Sequence, residues 1–180
     1  MFEVAISRYL KHHGYSDIRL KAVLFDMDGV LFNSMPYHAD AWHKVMERRG
    51  LHLSREEAYM HEGRTGAATI NIVYQRQYGQ DATPELIESI YAEKSAEFNK
   101  HPEPGRMPGS WEILQKIKAE RLTPILVTGS GQHSLLDRLT HNFPGMFQRE
   151  RMVNAFDVRY GKTNPEPYLM GLEKAGIKAN

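Results

Sequence analysis

The sequence contains no cysteine, which excludes disulfides and thiolate metal sites. It also lacks any apolar run approaching the roughly 18–20 residues that cross a bilayer as a helix. Glu3, Arg8 and Lys11 interrupt the first segment too early for a secretory apolar region. Charge of one sign is missing as well: 23 lysines and arginines face 22 acidic residues, for a net charge of +1. Bulk electrostatics therefore favours neither nucleic acid nor an anionic lipid surface. The resulting expectations are no nucleic-acid partner, no membrane association, a cytoplasmic location and a monomer. Repeats and low-complexity segments are absent too. What is present, 180 residues with 41% hydrophobic and 25% charged, matches an ordinary globular protein. The length fits one domain, or one domain carrying an insertion.

Phe2, Ile6, Tyr9 and Leu10 fall at helical spacing before Gly14, so residues 1–20 read as an amphipathic helical extension expected to pack on the domain. Residues 21–27 read as a buried strand rich in Val, Leu and Phe. Between residues 35 and 103 four helical patterns follow one another. Ser54 with Glu57 forms a capping box, and Thr83 precedes Pro84 at a helix start. From residue 104 the pattern returns to alternating helices and strands: a helix, the strand "TPILV", a helix, the strand "MVNAF", a loop, and a helix stopped by Gly176. Such alternation implies a Rossmann-like, doubly wound parallel sheet. The expected fold class is thus α/β, with a core formed by 21–34 and 104–180 and an α-helical cap inserted at 35–103.

Ligands of doubly wound sheets bind at the carboxyl ends of strands. Asp26 and Asp28 end the first strand, Thr128, Gly129 and Ser130 end the second, and Lys162 follows the third. Two carboxylates beside a core suit a hard cation with oxygen ligands, most economically Mg²⁺. Thr128, backbone N–H groups and Lys162 supply the donors and positive charge that a phosphoryl group requires. Taken singly, Asp26-Met27-Asp28-Gly29 is also compatible with a hydrogen-bonded turn, Thr128-Gly129 with a plain strand-to-helix connection, and Lys162 with a solvated lysine.

In their order, "FDMDGVLFNS", "VTGS" and "GKTNPEPY" resemble the haloacid dehalogenase superfamily of phosphotransferases, and the inserted helices resemble the cap of its β-phosphoglucomutase-like subgroup. The resemblance implies that Asp26 is a nucleophile forming an aspartyl-phosphate and that Asp28 is the general acid/base. It also implies that Thr128 binds the transferring phosphoryl group, that Lys162 neutralises charge, and that Mg²⁺ sits on the Asp26 carboxylate and the Asp28 carbonyl. A further acidic motif is expected on a fourth strand, whereas the sequence stops at Asn180. The core is therefore expected to be C-terminally truncated, with a raw sheet edge and weakened Mg²⁺ binding.

The cap decides the substrate. In "HEGRTGAATI", Glu62 stands where mutases carry lysine and Gly66 where they carry a phosphate-gripping arginine; Arg64 is an out-of-register substitute. His38 matches a hinge histidine of the mutases, while Trp42 reads as core packing. An acid at Glu62 would repel a second sugar phosphate and could instead pair with Lys162 or approach the metal. "MPYHADAW" and "MHEGRTGAATINIVYQ" most closely resemble a bacterial inorganic pyrophosphatase of the subgroup. The expected partner is a small phosphorylated substrate, pyrophosphate first. A phosphomonoester, β-phosphoglucomutase chemistry and non-catalytic phosphate binding are the alternatives.

Overall fold

In the computed structural model, which describes residues 2–131 and 133–178, helix α1 (Phe2–His13) precedes strand β1 (Ala22–Phe25). Four helices follow: α2 (Met35–Arg48), α3 (Arg55–Met60), α4 (Gly66–Tyr78) and α5 (Pro84–Phe98). The chain then forms α6 (Ser110–Ala119), β2 (Thr123–Val127), α7 (His133–Asn142), a 3₁₀ turn (Arg149–Arg151), β3 (Met152–Val153) and α8 (Glu166–Lys174). The three strands are parallel, in the order β1-β2-β3.

Strand periodicity distributes the core. Ile125 and Val127 join Val153 on one face, against Leu24 and Met170, while Leu126 joins Phe25, Leu114 and Phe143 on the other. Helix α8 lies close because Gly171 has no side chain: a Cβ there would stand 3.1 Å from Cγ2 of Val127. Pro124 is tolerated in the middle strand because β3 bonds only Leu126 and Val127, leaving Pro124 paired on the β1 side alone. The inserted helices have a separate core of Val45, Met46, Ile70, Val73 and Ile90. Two of their starts follow the expected caps, at Ser54 and Thr83, and Thr65 adds a third. Ser54, Thr65 and Thr83 accept from the N–H groups of Glu57, Ala68 and Leu86.

Three expectations are corrected. The first strand ends at Phe25 rather than 27, since the Met27 carbonyl accepts from Leu31 and Phe32 and bends the chain into a turn. The third spans two residues rather than five, because Asn154 starts a turn in which its Oδ1 accepts from Phe156 and its N–H donates to Asp157. The apolar side of α1 does not pack on the domain: Val4, Ile6 and Tyr9 are exposed, and none belongs to a core cluster. No described helix is long and apolar enough to cross a membrane.

Candidate active site

The turn after β1 carries the first two acids. Gly29 adopts φ +77°, a left-handed conformation that favours glycine, and its N–H donates to the Phe32 carbonyl. Asp26 keeps part of its surface open. Its Oδ2 lies 2.6 Å from Nζ of Lys162, and its Oδ1 accepts from the Met27 N–H at 2.7 Å. Burial pushes the Asp26 carboxyl up, with Lys162 opposing and the Asp28 charge assisting. Lys162 thus pairs with Asp26. Of the two roles open to Glu62, approach to the metal or pairing with Lys162, the second is not formed among the described residues.

Asp28 is buried and held from the cap side. Its Oδ1 accepts from Oγ of Ser34 at 2.6 Å and lies 3.0 Å from Nε2 of His38. Ser34 occupies the N-cap of α2 yet makes no side-chain cap bond, because its hydroxyl is turned to Asp28. Nδ1 of His38 lies 2.6 Å from Nζ of Lys94, itself only 3% exposed. Burial and the Lys94 charge keep the imidazole below its ordinary range. The network then has one consistent proton arrangement: Lys94 donates to Nδ1, and Nε2–H donates to Asp28. Burial alone would raise Asp28, but His38, Ser34 and the Lys94 charge outweigh it and hold the carboxyl low. Lys94 is lowered to about 8 by burial, against the pull of Asp28 and Glu62.

Thr128 is buried at the end of β2, two residues past the Leu126 that pairs with Phe25. Its Oγ1 accepts from the Ser130 N–H at 3.0 Å. The cap loop at residues 61–65 rests on this edge. A Cβ on Gly129 would stand 3.1 Å from the Arg64 carbonyl oxygen, and the Lys162 N–H donates to the Gly63 carbonyl at 2.6 Å. Between cap and core lies a cavity of about 40 Å³ lined by Asp28, His38, Glu62, Arg64, Gly129 and Ser130, among others. The expected substrate-binding set therefore meets at one place, with His38 positioned behind Asp28. Glu62 keeps an exposed face, while its carboxyl is pushed up by desolvation and by the charges of Asp28 and Asp26. Arg64 is exposed, and its guanidinium makes no ion pair among the described residues.

For a metal, Asp26 and Asp28 would be the donors; the described residues contain no group of three acidic, histidine or cysteine side chains arranged around one point. Two oxygen donors suit Mg²⁺, which commonly takes one or two carboxylates plus substrate phosphate and water. Sequence reading passed over Ser34 and Lys94. The available signal for Lys94 was its place on the apolar stripe of α5, one turn from Ile90 and one from Phe98.

The model of the haloacid dehalogenase-like hydrolase family matches residues 20–180. A curated relative, "Phosphorylated carbohydrates phosphatase" of Thermotoga maritima, is 28% identical over 159 residues, 88% of this chain and 72% of that protein. "Hexitol phosphatase A" of Escherichia coli is 26% identical over 162 residues, 89% of this chain and 71% of that protein. A solved structure from Bacteroides vulgatus, described as "Putative beta-phosphoglucomutase", is 67% identical with a TM-score of 0.93. It covers 98% of this chain and 72% of its own.

Proposed function

The chain belongs to the haloacid dehalogenase-like hydrolases, and from that premise we propose that it is a Mg²⁺-dependent phosphohydrolase working through an aspartyl-phosphate on Asp26. The observation that carries this reading is the 2.6 Å pair between Lys162 and Asp26, beside an Asp28 separately tied to Ser34 and His38. A nucleophilic carboxylate approaching a phosphate meets charge repulsion, and Lys162 offsets it at the attacking atom. Mg²⁺, held by the Asp26 carboxylate and the Asp28 carbonyl, would supply further neutralisation of the phosphoryl oxygens.

Asp26 attacks phosphorus and the bond to the leaving oxygen breaks, with the Asp28 proton passing to that oxygen. Water then attacks the aspartyl-phosphate, gives its proton to Asp28 and releases phosphate with the Asp26 carboxylate restored. The resting site holds Asp28 low, the reverse of what a proton donor needs. A bound phosphate adds negative charge beside it and raises it, so proton uptake accompanies substrate binding. Thr128, through its hydroxyl, and the backbone N–H of Gly129 orient the transferring group.

The substrate we favour is compact, with inorganic pyrophosphate first. The small cavity, the Glu62 carboxyl facing the two acids and a glycine at position 66 support this choice. A second reading, β-phosphoglucomutase chemistry or sugar-phosphate hydrolysis, is favoured by the names of the relatives. Phosphate release from pyrophosphate, sorbitol 6-phosphate and glucose 6-phosphate, with and without Mg²⁺, tests the choice, together with conversion of β-glucose 1-phosphate to glucose 6-phosphate. Mg²⁺-dependent cleavage of pyrophosphate above the others is expected. Faster isomerisation would establish the mutase, and no turnover of any of them would establish phosphate binding alone.

A further inference from the structure

Lys162 is held at both ends. Its Nζ lies 2.6 Å from Oδ2 of Asp26, and its N–H donates to the Gly63 carbonyl of the cap loop at 2.6 Å. The loop that carries it, from Asn154 to Asn164, contains no proline and has Gly161 beside the lysine, so its own backbone does little to fix its path. Glu166, in the first turn of α8, closes that loop. Its Oε2 accepts from the Tyr160 N–H at 2.8 Å and its Oε1 from the Arg159 N–H at 3.3 Å. Its own N–H donates to Oδ1 of Asn164 at 3.0 Å, and the Asn164 N–H donates to the Gly161 carbonyl at 2.9 Å. An acid in the first turn ordinarily serves the free N–H groups and dipole of its own helix. This carboxylate instead turns out of the helix, to N–H groups six and seven residues upstream.

We propose that Glu166 is a positioning residue, one that sets where Lys162 stands between the Asp26 carboxylate and the cap. This rests on the phosphohydrolase reading above and names what fixes the lysine of that site. The support is rigid. Helix α8 is seated on the sheet at Gly171, where a Cβ would stand 3.1 Å from Cγ2 of Val127 and 3.3 Å from Cδ2 of Leu24. Those two residues stand one before Thr128 and two before Asp26, so Glu166 is carried by an element in register with the strands that end in the site. From there its charged acceptor fixes the backbone just before Lys162, and Asn164 fixes it just after. A lysine side chain has much rotamer freedom to lose, and its Nζ finds Asp26 reliably only when its stem starts from a defined backbone. The Glu166 charge does not act on the Lys162 ammonium, which is paired with Asp26; it acts on the shape of the loop. Cap and nucleophile therefore meet at one residue, and both contacts depend on the same short stretch of chain.

Two variants of the whole chain, assayed on pyrophosphate with Mg²⁺, test this. Glu166→Gln keeps the length of the side chain and one acceptor oxygen, so one N–H loses its partner and the other bond loses its charge. Its kcat/KM should fall about ten-fold, the effect of one hydrogen bond to a charged group, with most of the loss in kcat because Lys162 acts at the attacking atom. Glu166→Ala removes both acceptors and should lose about 100-fold. Glutamine standing between glutamate and alanine is the partial rescue expected of a residue that acts by accepting; equal losses in the two variants would overturn that role. Amide exchange at Lys162, whose N–H the cap loop holds, should quicken at least five-fold in Glu166→Gln while exchange within β2 stays in place. This readout is independent of turnover, and it decides the matter through Glu166→Gln alone if Glu166→Ala fails to fold. A role confined to the start of α8 would lower Tm and leave both kcat/KM and Lys162 exchange within two-fold of the parent, which would overturn the proposal and leave the phosphohydrolase reading intact. A parent chain that hydrolyses none of the phosphate compounds above would overturn that reading, whereas the exchange measurement would still show whether Glu166 sets the loop.

Discussion

Lys94 should be dispensable for folding and necessary for turnover, a combination tested by Lys94→Met. Its pKa falls from an ordinary 10.5 to about 8 in the fold, which places about 3 kcal/mol of penalty on the charged form. The direct partner of its ammonium is the neutral His38 imidazole rather than a carboxylate. Methionine fills similar volume, removes the penalty, and gives up one hydrogen bond of about 1 kcal/mol and the ring contacts to Trp42 and Phe98. The net change is a stabilisation of about 1 kcal/mol, or roughly 2–4 °C in Tm for a chain of this size. The pH dependence has a definite sign. Below pH 8 both folded and unfolded chains hold the proton, so the penalty is present in full. Between about 8 and 10.5 the unfolded chain holds more protons, so the parent gains stability as pH rises and the gap to the variant narrows. Thermal melts at pH 7 and pH 10, with steady-state phosphate release, check this. Turnover should fall about 100-fold, because without the Lys94 donor at Nδ1 the His38 tautomer that presents Nε2–H to Asp28 is no longer fixed. A Tm lowered by more than 5 °C at pH 7, or turnover near the parent's, would refute the reasoning.

Two further outcomes follow from the cap contacts. Gly161→Ala places a Cβ 2.6 Å from the Gly63 carbonyl oxygen and 2.8 Å from Cα of Arg64; the cap loop must lift, so KM should rise at least ten-fold with little change in Tm. Glu62→Gln keeps the shape but removes the acid facing Asp26 and Asp28; pyrophosphate cleavage should drop at least ten-fold while the melting curve stays in place, and full activity would remove Glu62 from the site.

The parts of this site that cost free energy locally were legible in the sequence. Asp26 and Asp28 ending an apolar strand demand partners wherever the chain runs next, and Ser54 and Thr83 announce helices through bonds made within three residues. Lys94 was not legible, because its value depends on a contact distant in sequence, that with His38. The Lys162–Glu62 pairing, one of two roles open to Glu62, is not formed for a related reason. Charge alone suggested it, whereas the structure sets Lys162 against Asp26. The third strand was overread because Val153 and Ala155 share an apolar character that says nothing of the turn begun by Asn154. In α1 the helical period was correct, but amphipathicity alone does not supply a surface for the helix to cover.

The central claim is that Asp26 carries the phosphoryl group. Its most direct test is acid quenching of the chain during turnover of ³²P-labelled pyrophosphate with Mg²⁺, followed by peptide mapping of the label. The account predicts an acid-stable, hydroxylamine-sensitive label on the peptide containing Asp26, absent from Asp26→Asn. Phosphate release continuing in Asp26→Asn, or label on another residue, would contradict it.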